Sequence, residues 1–253
     1  MTLFASFRPA LAGSAPVDLA WLALGSPAIA EYAARVRPGG IVLDLQHGLW
    51  ERGTLEAALG AIGRQVPVIA RCADHSAHQI GAALDAGAAA VLVPLIESAD
   101  DARRAVAASH YPPLGVRSAG GVRMLAGGVE AMVECGRQVV VGALIETVKG
   151  VENVEAIAAV PGLDFLFIGT GDLSLSRGTA DAELIGRDCA RVLRAAQAHG
   201  LPCGLFTNDA EAASRAFADG YRLAVAANDI GLVAQGLRDA RARALRLQPG
   251  DGA

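Results

Sequence analysis

The chain has 253 residues, of which 53% are hydrophobic, 19% charged and 4% aromatic, with a net charge of −4. That length suits one (β/α)₈ barrel and can bury a full core. The mild acidity leaves no basic surplus for a nucleic-acid backbone and no polybasic run for a membrane surface.

The core has to be built from small and branched aliphatics rather than rings, which suits buried parallel strands under closely packed helices. The most apolar long span, residues 80–96, is broken by Asp85 and several glycines, so no transmembrane segment is expected. No charged segment followed by an apolar stretch and a cleavage site opens the chain, so no export signal is expected. The four cysteines, Cys72, Cys135, Cys189 and Cys203, lack CxxC or Cys/His zinc spacing. They read as free thiols of a cytoplasmic protein.

In chain order, an apolar run, a turn and a stretch of helical periodicity recur eight times. The predicted strands are residues 17–24, 41–46, 66–72, 90–96, 139–146, 163–169, 202–207 and 222–228. The predicted helices are residues 27–36, 54–64, 78–86, 99–110, 151–159, 183–199, 210–218 and 231–247. Ser26 and Pro27 mark the start of the first helix, and Gly87, Gly200 and Gly220 sit where left-handed helix ends favour glycine. Eight near-even strand–helix units predict closure into a (β/α)₈ TIM barrel rather than an open doubly wound sheet. Residues 111–138, with Pro112, Pro113 and six glycines, read as one long loop. Residues 1–253 read as a single catalytic domain ending in a disordered tail, residues 248–253.

Barrel enzymes carry their chemistry at the carboxyl ends of the strands. There this sequence places Asp44 and His47 after strand 2, Arg71 after strand 3, Glu146 after strand 5 and Asp172 after strand 6. Asp209 and Asp229 follow strands 7 and 8. Glu146 and Asp172, on neighbouring strands and with no basic residue beside them, suit a hard divalent cation. The competing reading is that each caps the following helix. Arg71, after a buried apolar run, needs an anion, either a substrate or a salt-bridge partner such as Asp44 or Asp74. His47 can act as a proton-transfer group or as a packing or capping residue. His75 and His78 lie on a solvated turn and lack further ligands for a zinc site. Lys149 is the only lysine. It falls at the onset of a helix, whereas a Schiff-base amine has to reach the substrate carbonyl. A metal is therefore the expected electron sink.

Several segments resemble the HpcH/HpaI aldolase/citrate lyase family. They are Leu43-Asp44-Leu45-Gln46-His47-Gly48, Leu84-Asp85-Ala86-Gly87-Ala88, Tyr111-Pro112-Pro113-Leu114-Gly115-Val116-Arg117, Leu144-Ile145-Glu146-Thr147 and Ile168-Gly169-Thr170-Gly171-Asp172-Leu173-Ser174. The resemblance implies a TIM barrel of the phosphoenolpyruvate/pyruvate superfamily. It further implies a class II aldolase that reversibly cleaves a 4-hydroxy-2-oxo acid to pyruvate and an aldehyde. By matching position, Glu146 and Asp172 would hold Mg²⁺, Mn²⁺ or Co²⁺, and Arg71, Gly171 and Asp172 would bind substrate. His47, with Asp44, would move protons, and Asp85 would support His47, across a subunit boundary in a homo-oligomer (a hexamer or trimer). Gln46, Leu144 and His110 depart from common family residues and bear on the substrate. The alternatives are a citrate- or malyl-type coenzyme A thioester lyase, another enzyme of that superfamily, or a non-catalytic binding barrel.

Overall fold

The computed structural model describes residues 4–246. The expected tail at 248–253 lies outside them. The strands are β1 (Val17–Leu22), β2 (Gly40–Asp44), β3 (Val68–Arg71), β4 (Ala90–Val93), β5 (Val140–Ile145), β6 (Phe165–Ile168), β7 (Cys203–Leu205) and β8 (Leu223–Asn228). Each pairs in parallel with the next, and β8 returns to β1, closing the barrel. All eight predicted strands are present. Each is shorter than its apolar run, because flanking residues such as Val66 and Val139 are buried outside the strand itself.

The helices follow from local signals. Pro27–Val36 starts where Ser26 Oγ accepts the Ile29 N–H, with Pro27 in its first turn. Ala77–Ala86 runs from a Ser76 cap to Gly87 at φ 109°. The predicted helix at 151–159 is two short helices, Val148–Glu152 and Val154–Ala158. The expected loop at 111–138 contains two helices, Val122–Leu125 and Gly128–Gln138. Its glycines masked an amphipathic pattern that buries Met132 and Cys135.

Inside the barrel, Phe165 and Phe167 of β6 share one core cluster with Phe7 and Trp21. They fit because their register partners, Gly142 on β5 and Gly204 on β7, have no side chain. A Cβ at Gly142 would lie 2.1 Å from the Phe165 ring, and one at Gly204 would lie 2.2 Å from the Phe167 ring. Below them, Phe7 packs edge-on against Phe165 at 6.2 Å, and Arg8 pairs with Asp164 at 2.9 Å. A short helix, Arg8–Ala12, that the sequence reading did not anticipate begins at this lower end.

The last helix, Asp229–Arg246, buries only Asp229. Ile230, Leu232, Val233, Leu237 and Leu245 on it are exposed, as are Tyr32 and Val36 across an apolar groove from its root. Asp229 itself is an anchor. Its Oδ1 accepts the Ala23 and Ile230 N–H groups and its Oδ2 accepts the Leu24 N–H, each at 2.9 Å. No helix among the described residues is long and apolar enough to cross a membrane.

Gly142→Ala should therefore lower the unfolding free energy by about 1–3 kcal/mol, the usual range for an overpacked core. Gly53→Ala, in an exposed first turn with nothing within 4 Å of the added carbon, should be neutral or slightly stabilising. Denaturant titration of the two variants measures the contrast.

Candidate active site

The register of two short strands builds the first half of the site. Asp44 and Arg71 end β2 and β3 and are direct partners in the ladder. Arg71 donates from Nε to Asp44 Oδ1 at 2.8 Å and from Nη2 to Oδ2 at 2.7 Å, a bidentate pair buried in the barrel mouth. The Trp21 indole N–H reaches Asp44 Oδ2 at 3.1 Å, and the backbone N–H groups of Gln46 and His47 reach Oδ1 at 3.1 Å. The Arg71 guanidinium also lies 5.3 Å from the Trp21 ring centre. Burial pushes the Asp44 carboxyl up, but Arg71, the His47 N–H and Trp21 together hold it below the usual carboxylate range. The salt-bridge reading of Arg71 is thus realised with Asp44, while Asp74 instead accepts the Ser76 N–H at 2.7 Å. Arg71 Nη1 takes part in neither bond to Asp44.

The second half centres on Glu146, which is 1% exposed. Its Oε1 accepts the Leu95 N–H at 2.9 Å. Leu95 holds φ at 55°, an uncommon conformation for a side chain of this kind, so strained backbone aims that N–H. Oε2 is buried without a hydrogen-bond partner. A Cβ at Gly169 would come within 2.9 Å of that oxygen, so only glycine leaves the space beside it open. Burial is the main cause that raises the Glu146 carboxyl to about 7; the Leu95 N–H opposes it and the nearby Asp172 charge adds to it.

Asp172 stands in the first turn of the helix Thr170–Arg177, which has no side-chain cap, so the capping reading of Asp172 does not apply. A buried, unpartnered carboxylate oxygen beside a second carboxylate fits a hard divalent cation. Among the described residues no group of three or more His, Cys, Asp or Glu gathers around one point. Glu146 and Asp172 are thus a pair of carboxylates rather than part of a larger ligand cluster.

Asp44, His47, Arg71, Glu146, Gly171 and Asp172 all line one cavity of about 250 Å³ at the carboxyl ends of the strands. The His47 imidazole is 59% exposed at its rim, with Nε2 3.9 Å from Asp172 Oδ2. Its carboxylate neighbour is thus Asp172, and Asp44 holds only its backbone. The expected pair of His47 with Asp44 is present as a contact through the His47 backbone N–H, and both Asp44 oxygens also accept other N–H groups. Asp85 is elsewhere in the chain, on the helix Ala77–Ala86, paired with Arg117 at 2.8 Å. Lys149 lies at the surface, bonded to Glu97 at 3.0 Å, and His75 and His78 are exposed. The sequence reading missed the walls, Trp21, Phe167 and Phe206, and the Leu95 N–H. Inward spacing along β1 and β6 could have flagged the first two, but nothing in sequence marks a positive φ at a leucine.

A model of the HpcH/HpaI aldolase/citrate lyase family matches residues 19–235. The chain belongs to that family. Membership makes it an enzyme of the aldolase and lyase class. Among curated family relatives, a 4-hydroxy-2-oxovalerate aldolase of Novosphingobium aromaticivorans is 39% identical, over 85% of this chain and 84% of its own. A hydroxypyruvate/pyruvate aldolase of Paraburkholderia phytofirmans is 33% identical, over 87% and 90%. The crystal structure of an HpcH/HpaI family protein from Burkholderia cenocepacia superposes with a TM-score of 0.88 at 31% identity, covering 94% of this chain and 98% of that one.

The raised Glu146 carboxyl carries a pH signature. A carboxyl whose folded value exceeds its unfolded one contributes stability that is full below about 4.5 and is lost as pH rises through about 7. In chelator, Glu146→Gln should therefore gain stability relative to wild type between pH 5 and pH 8, by up to about 3 kcal/mol. Thermal melts of both proteins across that range measure it.

Proposed function

We propose that the chain is a divalent-metal-dependent pyruvate aldolase. It cleaves a 4-hydroxy-2-oxo acid to pyruvate and an aldehyde and runs the same steps backwards. The observation that carries this reading is the unpartnered Glu146 Oε2 beside Asp172, in a cavity that also holds the ion-paired Arg71. The relatives named for 4-hydroxy-2-oxovalerate and hydroxypyruvate/pyruvate support it. Glu146 and Asp172 would hold the ion, Mg²⁺, Mn²⁺ or Co²⁺. Once bound, such an ion acts as a Lewis acid toward the oxygens of the 2-oxo acid.

The remaining residues bind and move protons. Asp44 locks Arg71 so that Nη1 meets the substrate oxygens where negative charge develops. The N–H groups of Thr170, Gly171 and Asp172, in the first turn of their helix, lack intrahelical partners and suit the substrate carboxylate. His47 accepts the proton of the C4 hydroxyl. The C3–C4 bond breaks, C4 leaves as the aldehyde, and the electron pair passes to C3, forming the enolate of pyruvate. A proton returned to C3 completes pyruvate.

The described barrel acts as one catalytic domain of a cytoplasmic enzyme, whose four cysteines are free and buried. The exposed apolar residues of Asp229–Arg246 and of Pro27–Val36 support a homo-oligomer, a hexamer or trimer. Asp85, away from the mouth of its own chain, would serve His47 only from a second copy. A coenzyme A thioester lyase would need cations for the phosphates, and the cavity lining offers only Arg71 and His47.

Thorough chelation should abolish pyruvate release from 4-hydroxy-2-oxo acids, and Mn²⁺ or Mg²⁺ should restore it, followed by coupled reduction of pyruvate. Lys149→Ala should keep its activity. Activity without metal, or borohydride trapping of substrate on Lys149, would refute the reading.

A further inference from the structure

The polar residues of the cavity divide unevenly around its wall. On the side given by β1, β6, β7 and the root of the last helix, the lining side chains are Trp21, Ala23, Phe167, Phe206 and Ile230, with Leu144 from β5 beside them. The rings form a corner: Trp21 meets Phe206 edge-on at 5.1 Å and Phe167 at 6.0 Å. The Trp21 indole N–H is already committed to Asp44, so this corner presents carbon.

Thr170, just past β6, also lines this side; the other two polar side chains there, Asp229 and Asn228, are engaged internally. Asp229 accepts three backbone N–H groups at 2.9 Å. Asn228 accepts the Gly231 N–H through Oδ1 at 2.7 Å and donates from Nδ2 to the Asn208 carbonyl at 3.3 Å. The basic side chains of the lining are Arg71, two of whose nitrogens belong to Asp44, and His47. A second carboxylate on the substrate would thus meet Asp172 and Asp229 with no cation of its own. Added hydroxyls on this side would find ring faces and, apart from the Thr170 hydroxyl, satisfied groups.

We infer that the aldehyde half of the substrate is uncharged and apolar, selected by the corner of Trp21, Phe167 and Phe206 with Ile230 at its edge. This rests on the aldolase reading above and names the substrate class of the same site. In the synthetic direction, pyruvate loses a C3 proton, C3 bonds to the aldehyde carbon, and the aldehyde oxygen takes up a proton as the C4 hydroxyl. An apolar substituent on that carbon keeps its contacts with the corner, whereas a charged one is stripped of water without replacement.

The test uses the full chain with Mn²⁺ and pyruvate, and compares kcat/KM for propanal and butanal with that for glyceraldehyde and succinic semialdehyde. In parallel, NMR follows exchange of the pyruvate methyl protons in D₂O, which needs C3 deprotonation but no aldehyde. The expected result is exchange together with a preference of about 10²-fold or more for propanal and butanal over succinic semialdehyde. Ile230→Arg, at a position 55% exposed and so tolerant of a long side chain, should shift that ratio about tenfold toward succinic semialdehyde. Exchange with equal or better use of the anionic or hydroxylated aldehydes would overturn the inference and leave the aldolase reading standing. Absence of exchange with any divalent metal would overturn the aldolase reading, and the inference with it.

Discussion

A carboxylate buried in a barrel mouth with a hydrogen bond to only one of its oxygens is the constraint on which this site turns. Glu146 Oε1 has the Leu95 N–H, and Oε2 has nothing. Left charged, such a group is costly, and the structure answers by raising its carboxyl to about 7. A doubly charged ion shared with Asp172, as proposed, would remove that cost. Two surrounding features serve the same oxygen: Gly169 withholds a side chain from the space beside it, and Leu95 takes a positive φ to hold the carboxylate from the other side.

The rest of the mouth is arranged around a second, fully satisfied carboxylate. Asp44 receives Arg71, the Trp21 N–H and two backbone N–H groups. These bonds make it a structural anchor. It fixes Arg71 in the plane of the mouth and ties the loop that carries His47. The contrast between an over-satisfied Asp44 and an under-satisfied Glu146 separates the two acids: the first orients a cation of the protein, and the second, in the proposed reading, would take one from outside. Opposite them, the ring corner on β1, β6 and β7 gives the cavity an apolar half.

Much of this was legible in sequence because parallel strands buried on both faces leave continuous apolar runs, and polar residues that interrupt their carboxyl ends stand out. Glu146, Asp172, Arg71, His47 and Asp44 were visible on that ground, and they line one cavity. The partner of Arg71 was not decidable between Asp44 and Asp74, since only strand register places Asp44 opposite it. The helices Thr170–Arg177 and Gly128–Gln138 were hidden by glycines that serve close approach or helix starts rather than loops. The final helix read as an ordinary barrel helix, because its apolar residues do not reveal whether they meet this chain or another. The same ambiguity explains Asp85, whose motif position suggested the active site but which pairs with Arg117 in its own chain.

The most direct measurement is an anomalous difference map from crystals soaked in Mn²⁺. The account expects one strong peak in contact with Glu146 Oε2 and an Asp172 oxygen, lost in Glu146→Gln. A map with no peak there, or with the two carboxylates turned apart, would contradict it.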